Sequence, residues 1–254
     1  MSVLTFLSDF GADSHYMASF RGSMHCSGID LPFIEISSRV EPFDIVEASY
    51  LCSMVYQDFP VGSIHILATN VVATSFAGHL AAEYNGHFFI APDNGILSLI
   101  FGEKFDNYFR IPTNGVEQKI QSIYIPFLQK LIESKDLISI ASKAEKIVVK
   151  TSLVPTNDGN ELRGTVLFVD HFGNAYTNIS KTDFDLFLKG GRCEIELSRH
   201  TTIDSVSENF ADVQVGDSLC YFSEHGYLVV AIKQSNAMRL LNLRKSKPVI
   251  IKKR

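Results

Sequence analysis

The hydrophobic patterning of this 254-residue chain changes character once, near residues 150–160, and that change constrains the fold most. Before it, short apolar runs alternate with helical periodicity. Residues 3–7 form a partly β-branched run that stops at Ser8-Asp9-Phe10-Gly11, a buried strand leading into a loop. Residues 14–24 suit a helix and residues 33–36 a second strand. Asp44 followed three residues later by Glu47 resembles a capping box, and Ile45, Ala48, Leu51, Cys52 and Val55 continue at helical spacing. Residues 64–68 read as a third strand. Residues 87–91 read as a fourth, running into the tight-turn string Pro92-Asp93-Asn94-Gly95, and residues 123–140 read as helix. Alternating strands and helices predict an α/β domain over residues 1–150, with a mainly parallel sheet covered on both faces.

Residues 144–164 break this rhythm with Pro155 and the polar turn Asn157-Asp158-Gly159-Asn160. Short strands follow at 164–169, 175–179, 193–197, 218–222 and 227–232, with one short helix near 182–188. This predicts an all-β domain over residues 157–254. The basic residues between Arg244 and Arg254 read as a solvated tail after a last strand at 249–251.

Composition removes several function classes. A net charge of −5 gives no electrostatic reason to expect a nucleic-acid partner. Asp9 interrupts the first apolar run, no basic segment precedes it, and no apolar stretch is long enough for a bilayer, so no membrane association and a cytoplasmic location are expected. Cys26, Cys52, Cys193 and Cys220 form no C-x-x-C pair, and no metal site is expected from them. The eight histidines form no triad or metal pattern, and no phosphate-binding glycine motif is present. With Trp absent, stacking falls to Phe and Tyr.

Two segments carry candidate chemistry. Asp9 ends the first strand of an open α/β sheet, where ligands collect. Its carboxylate either accepts a ribose diol or orders the loop. The segment Asp170 to Tyr176 packs a carboxylate, an aromatic ring, an amide and a second aromatic between two strands. An amide pairs with a base edge and aromatic faces stack on bases; the competing reading is an ordinary hairpin turn.

Taken together, these segments resemble the S-adenosyl-L-methionine hydroxide adenosyltransferase family, whose relatives include fluorinase and chlorinase. Ser8-Asp9-Phe10-Gly11 with Tyr16 and Arg21-Gly22 is similar to the family's opening T-D-F-G-x-x-D-x-Y…K-G. Val40-Glu41-Pro42-Phe43-Asp44-Ile45, Phe59-Pro60-x-Gly62-Ser63-Ile64-His65, Ala91-Pro92-Asp93-Asn94-Gly95, and Val169-Asp170-His171-Phe172-Gly173-Asn174 with Thr177-Asn178-Ile179 follow in the family's order. The resemblance implies a barrel-like C-terminal β domain and a homotrimer. It places a nucleoside between one subunit's N-terminal domain and a neighbour's C-terminal domain. It implies no separate cofactor: S-adenosylmethionine is substrate or ligand, and water displaces methionine at ribose C5′ to give adenosine and L-methionine. Carried over by motif, Asp9 holds the ribose. Asp170 and Phe172 line the pocket, Asn174 meets the adenine edge, and Tyr176 and Phe210 stack. Tyr221 and the turn carrying Glu224 and His225 contact the amino-acid end.

The reactive positions depart from this pattern. Asn70 stands where the hydrolytic branch has Asp, Ala77 where it has Arg, Lys119 where it has His, and Ser14 where the family has a further Asp. Asn cannot serve as a base, and Lys119 adds a positive charge if it faces the ligand. Ala73 and Asn70 do not match the halogenating branch either. Three readings remain open at this point. One is a diverged enzyme in which Asn70, Thr74 or Lys119 orients the nucleophile. The others are a nucleoside-binding module without the reaction, and a scaffold of the same fold.

Overall fold

A computed structural model describes residues 2–71, 78–102, 104–113, 119–198 and 201–254. The chain divides into two compact units, Met1–Ser152 and Leu153–Arg254.

The first unit is built on β1 (Leu4–Ser8), β2 (Phe33–Ser37), β3 (Ile64–Ala68), β4 (His79–Tyr84), β5 (His87–Pro92), β6 (Tyr108–Arg110) and β7 (Ser142–Lys143), in the sheet order β2-β1-β3-β5-β4-β6-β7. Its helices are α1 (His15–Cys26), α2 (Ile45–Val55), α3 (Ile96–Phe101), α4 (Ile120–Ser134) and α5 (Leu137–Ile140). Every residue of β1, β3 and β5 is buried, which is why these strands read as unbroken apolar runs rather than alternating ones. One face packs Leu4, Phe6, Ile64 and Ile66 against Phe20 and Met24 of α1 and Tyr124 and Leu128 of α4. The other packs Leu7, Leu67 and Phe89 against Ala48 and Cys52 of α2 and Ile96 and Leu97 of α3. The Asp44 carboxylate caps α2 by accepting from the backbone N–H groups of Val46 and Glu47.

The expectation of a mainly parallel sheet needs correction. β2-β1-β3-β5 are parallel, but β4 pairs antiparallel with β5 and β6, and β6 antiparallel with β7. The cause is the Asn85-Gly86 turn joining β4 to β5, where both residues take positive φ. Such a two-residue turn matches the strands' twist and forces a hairpin. The single helix expected over 123–140 is two: Lys135 takes a left-handed conformation and Asp136 caps the short α5.

The second unit contains β8 (Thr156–Asn157), β9 (Glu161–Val169), β10 (Ala175–Ser180), α6 (Lys181–Leu188), β11 (Cys193–Ser198), β12 (Thr201–Ile203), β13 (Ser218–Phe222), β14 (Tyr227–Ile232), α7 (Ala237–Leu240) and β15 (Pro248–Lys253). The pairings are all antiparallel, in the order β12-β11-β15-β9-β10-β14-β13 with β8 on β9. The end strands β12 and β13 approach each other, so the sheet is nearly closed and barrel-like around Val166, Ile179, Phe187, Leu228, Val230 and Ile251. A reciprocal box between Ser180 and Asp183 starts α6. The basic C-terminal residues are not a free tail. Lys252 and Lys253 belong to β15, Lys252 pairs with Glu161 and Glu196, and Arg254 pairs with Glu194 and Asp204.

Candidate functional site

Each unit carries a cavity lined by residues singled out from the sequence. In the second unit the turn between β9 and β10 opens a cavity of about 690 Å³ bordered by Asp170, Phe172 and Asn174. The backbone closes this turn twice: Gly173 N–H donates to the Asp170 carbonyl and Asp170 N–H to the Asn174 carbonyl. The Asp170 carboxylate then accepts from both the backbone N–H and the side-chain amide of Asn174, each at 2.8 Å. That pair fixes the amide's orientation and leaves its carbonyl oxygen and one N–H for another partner.

Phe210 and Tyr221 border the same cavity, their ring centroids 5.0 Å apart and tilted by 59°. Phe172 is 75% exposed, an unusual setting for a large apolar ring on a built cavity. Burial raises the Tyr176 and Tyr221 phenols above their ordinary range. Tyr176 does not border the cavity: its ring lies flat on Phe168 at 4.6 Å. Glu224 and His225 are exposed in the turn between β13 and β14 and do not border it either. Gln234, Ser235 and Asn236 do, just beyond β14, and the sequence contained no motif that pointed to them. Thr177 and Asn178, part of the same motif as Asn174, are buried. The Thr177 hydroxyl donates to the Leu228 carbonyl, and the Asn178 side chain bonds Thr165 N–H and the Leu153 carbonyl.

In the first unit a cavity of about 520 Å³ lies where β1 and β3 end and α1 and α4 begin. Asp9, Asn70 and Lys119 border it. One oxygen of Asp9, Oδ2, accepts from the backbone N–H of Phe43 at 2.8 Å and of Asn70 at 3.0 Å. Both donors are non-glycine residues at positive φ, +69° and +54°, a conformation that needs such holding. Oδ1 accepts from none of the described residues, and through Oδ2 this carboxylate orders two loops. Ser8 Oγ and Thr69 Oγ1, one residue before Asp9 and Asn70, are buried and have no hydrogen-bond partner among the described residues.

The remaining expected positions fall apart from these cavities. Ser14 sits at the N-cap of α1, where its hydroxyl donates to the Gly11 carbonyl, and it does not border the cavity. Thr74 and Ala77 lie outside the described residues. Lys119 is exposed and is one of the residues bordering the cavity, as are His15, Tyr16, Phe43 and Gln121. The Pro92-Asp93-Asn94-Gly95 string is structural. Asp93 is buried and bonds Arg110 and the Val148 N–H, while the Asn94 amide donates to the Thr69 carbonyl, bracing the loop that carries Asn70.

Histidines do meet in the fold, although not as metal ligands. His65 Nδ1 lies 2.7 Å from the Thr5 hydroxyl and its Nε2 lies 3.1 Å from His87 Nδ1, all buried. Burial, and then the neighbouring His87, lowers the His65 pKa to about 3. Burial, and then the Arg110 charge, lowers that of His79 to about 4. Both are neutral core groups at neutral pH. Among the described residues no group of three or more side chains could hold a metal ion, and no helix is long and apolar enough to cross a membrane.

Comparison with known proteins agrees with this arrangement of segments. The profile of the SAM hydroxide adenosyltransferase N-terminal domain matches residues 4–126, and that of the C-terminal domain matches residues 164–250. An (R)-S-adenosyl-L-methionine hydrolase of Methanocaldococcus jannaschii is 22% identical over 96% of this chain and 93% of its own length. A fluorinase of Actinoplanes sp. is 26% identical over 90% of each. The crystal structure of an uncharacterized conserved protein from Thermotoga maritima superposes with a TM-score of 0.84 over 99% of this chain and 100% of that one, at 23% identity, and shows the same fold. With both domain profiles matched in order, this chain belongs to the SAM hydroxide adenosyltransferase family.

Proposed function

We propose that this protein binds an adenine nucleoside, with Asn174 on the base. The observation that carries the reading is the Asp170–Asn174 pair beside Phe172, Phe210 and Tyr221. A side-chain amide held in one orientation offers an acceptor to the exocyclic amine of adenine and a donor to a ring nitrogen, while the aromatic faces cover the base. In the first unit, Asp9 Oδ1 accepts from none of the described residues and is an acceptor of the kind a ribose hydroxyl takes. Asn174→Ala is expected to weaken adenosine binding by about 1–3 kcal/mol, through loss of the paired amide groups. Titration calorimetry measures this, and an unchanged affinity would separate Asn174 from the base. No binding of adenosine or S-adenosylmethionine at millimolar concentration would leave the scaffold reading.

A second reading, cleavage of S-adenosylmethionine by water, draws on the hydrolase relative. In that reaction the water oxygen bonds C5′ as the C5′–S bond breaks. Sulfur keeps the electron pair, and water loses a proton, giving adenosine, L-methionine and H⁺. Asn70 takes no proton, so the rate would come from orienting and desolvating the water. Incubation with S-adenosylmethionine and chromatography for adenosine decides this reading. Adenosine formation no faster than in protein-free buffer, with and without added halide, would sink it and leave a family member that binds without reacting.

A further inference from the structure

We infer that Asp170 is a positioning residue that sets which purine the cavity of the second unit accepts. By holding the Asn174 amide in one orientation, it selects a base with an amine at C6 over one with a carbonyl there. The inference rests on the nucleoside reading above and assigns the origin of its base choice.

A side-chain amide offers an acceptor at one corner and a donor at the other, and half a turn about its Cβ–Cγ bond exchanges them. An unheld Asn therefore suits adenine, which sets an amine donor beside a ring-nitrogen acceptor. It suits hypoxanthine equally, because the C6 carbonyl and N1–H of that base reverse the order. Asn174 is held. Asp170 Oδ1 accepts from its backbone N–H and Asp170 Oδ2 from its Nδ2, both at 2.8 Å. A carboxylate accepts and does not donate. Turning the amide over would set its carbonyl oxygen against a carboxylate oxygen and exchange a charge-assisted hydrogen bond for a repulsion.

The turn that carries the pair is itself held. Gly173 N–H donates to the Asp170 carbonyl and Asp170 N–H to the Asn174 carbonyl, both at 3.0 Å. Asn236 packs against Gly173 so closely that a Cβ there would lie 2.3 Å from its side chain. The Asn236 oxygen is fixed in turn by the Arg239 N–H. The turn therefore does not slide to accommodate a reversed amide.

Substitutions at Asp170 separate this role from plain support of the turn. In Asp170→Asn the Asn174 backbone N–H takes the one amide oxygen now present at position 170, which leaves an NH2 group facing the Asn174 side chain. Asn174 then turns its carbonyl toward that group and presents the reversed order to the base. Titration calorimetry on the full chain compares adenosine with inosine. The parent is expected to bind adenosine about tenfold or more tightly, the discrimination that a paired amide supplies. In Asp170→Asn the ratio is expected to fall at least about tenfold, toward inosine. In Asp170→Ala, where the amide rotates freely, the ratio is expected to approach one. Chemical denaturation identifies folded variants, and either one alone carries the test. A parent that binds inosine as tightly as adenosine overturns the inference and leaves the nucleoside reading standing. So do folded variants that lose affinity for both nucleosides in equal proportion, or the unfolding of both variants, since each leaves Asp170 as support for the turn alone. If neither nucleoside binds the parent, both readings fall.

Discussion

Gly173→Ala is expected to destabilise the second unit by about 2–5 kcal/mol and to abolish nucleoside binding with it. Gly173 has φ +89°, a conformation that costs a residue with a Cβ about 1–2 kcal/mol. A methyl built there also overlaps the side-chain amide of Asn236. That amide is not free to swing away, because its oxygen caps α7 by accepting from the Arg239 N–H at 2.8 Å. The Gly173 carbonyl in turn receives the Met238 N–H at 2.9 Å, so turn and helix are locked together beside the cavity. Displacing the amide adds about 1–3 kcal/mol, the usual cost of forcing extra volume into packed structure. Chemical denaturation of Gly173→Ala, Asn236→Gly and the double variant separates the contributions. The double variant escapes the overlap and keeps the backbone strain. A Gly173→Ala protein as stable as the parent would show that the turn relaxes freely, and the assignment of Asn236 to a rigid cavity wall would fail.

Asp93→Ala is expected to cost about 3 kcal/mol in the first unit, toward the low end for breaking a buried pair because the Arg110 partner reaches solvent. Asp93 is 3% exposed and serves two elements: Oδ2 accepts from Arg110 on β6, and Oδ1 accepts from the backbone N–H of Val148. Its removal takes the carboxylate acceptor from the Val148 N–H and from the Arg110 guanidinium beside the neutral His79. Asp93→Asn keeps an acceptor for one donor and is expected to fall between the two. Because Asn94 braces the loop that carries Asn70, the alanine variant is also expected to loosen the Asp9 cavity. A loss within about 0.5 kcal/mol, the range of an ordinary surface change, would mean that Arg110 and Val148 find other partners.

Both predictions concern strings that were visible in the sequence, yet their roles were divided in different ways. Pro92-Asp93-Asn94-Gly95 reads as a tight turn, and it is a buried brace one step removed from the cavity. Asp170 to Asn174 reads as a hairpin turn or a ligand wall, and it is a hairpin turn that also borders a cavity. Its continuation, Thr177-Asn178, supports the strand pairing instead. The same motif therefore mixes residues that face the cavity with residues that hold the turn in place, and motif matching cannot separate them. Tyr176 illustrates this: the sequence shows an aromatic next to a nucleoside-like segment, and the fold stacks it on Phe168.

The secondary structure followed a similar division. Fully buried strands announced themselves as apolar runs. β4 did not, because its centre is Leu80-Ala81-Ala82, too small and too short to stand out. Its turn, Asn85-Gly86, takes positive φ at both residues and makes β4 antiparallel to β5.

By itself the sequence determined the change from alternating strands and helices to strands alone, the caps that start α2 and α6, and the composition of the turn at Phe172-Gly173-Asn174. These are set by neighbours within a few residues, where periodicity and backbone preference act. Only the tertiary structure decided that Lys119 and His15 share a cavity with Asp9, and that Phe210, Tyr221 and Asn236 stand beside Asn174. Strand order and the starting points of distant helices bring those side chains together. Local patterning records which face of an element is buried, and it carries no record of which remote element will cover it.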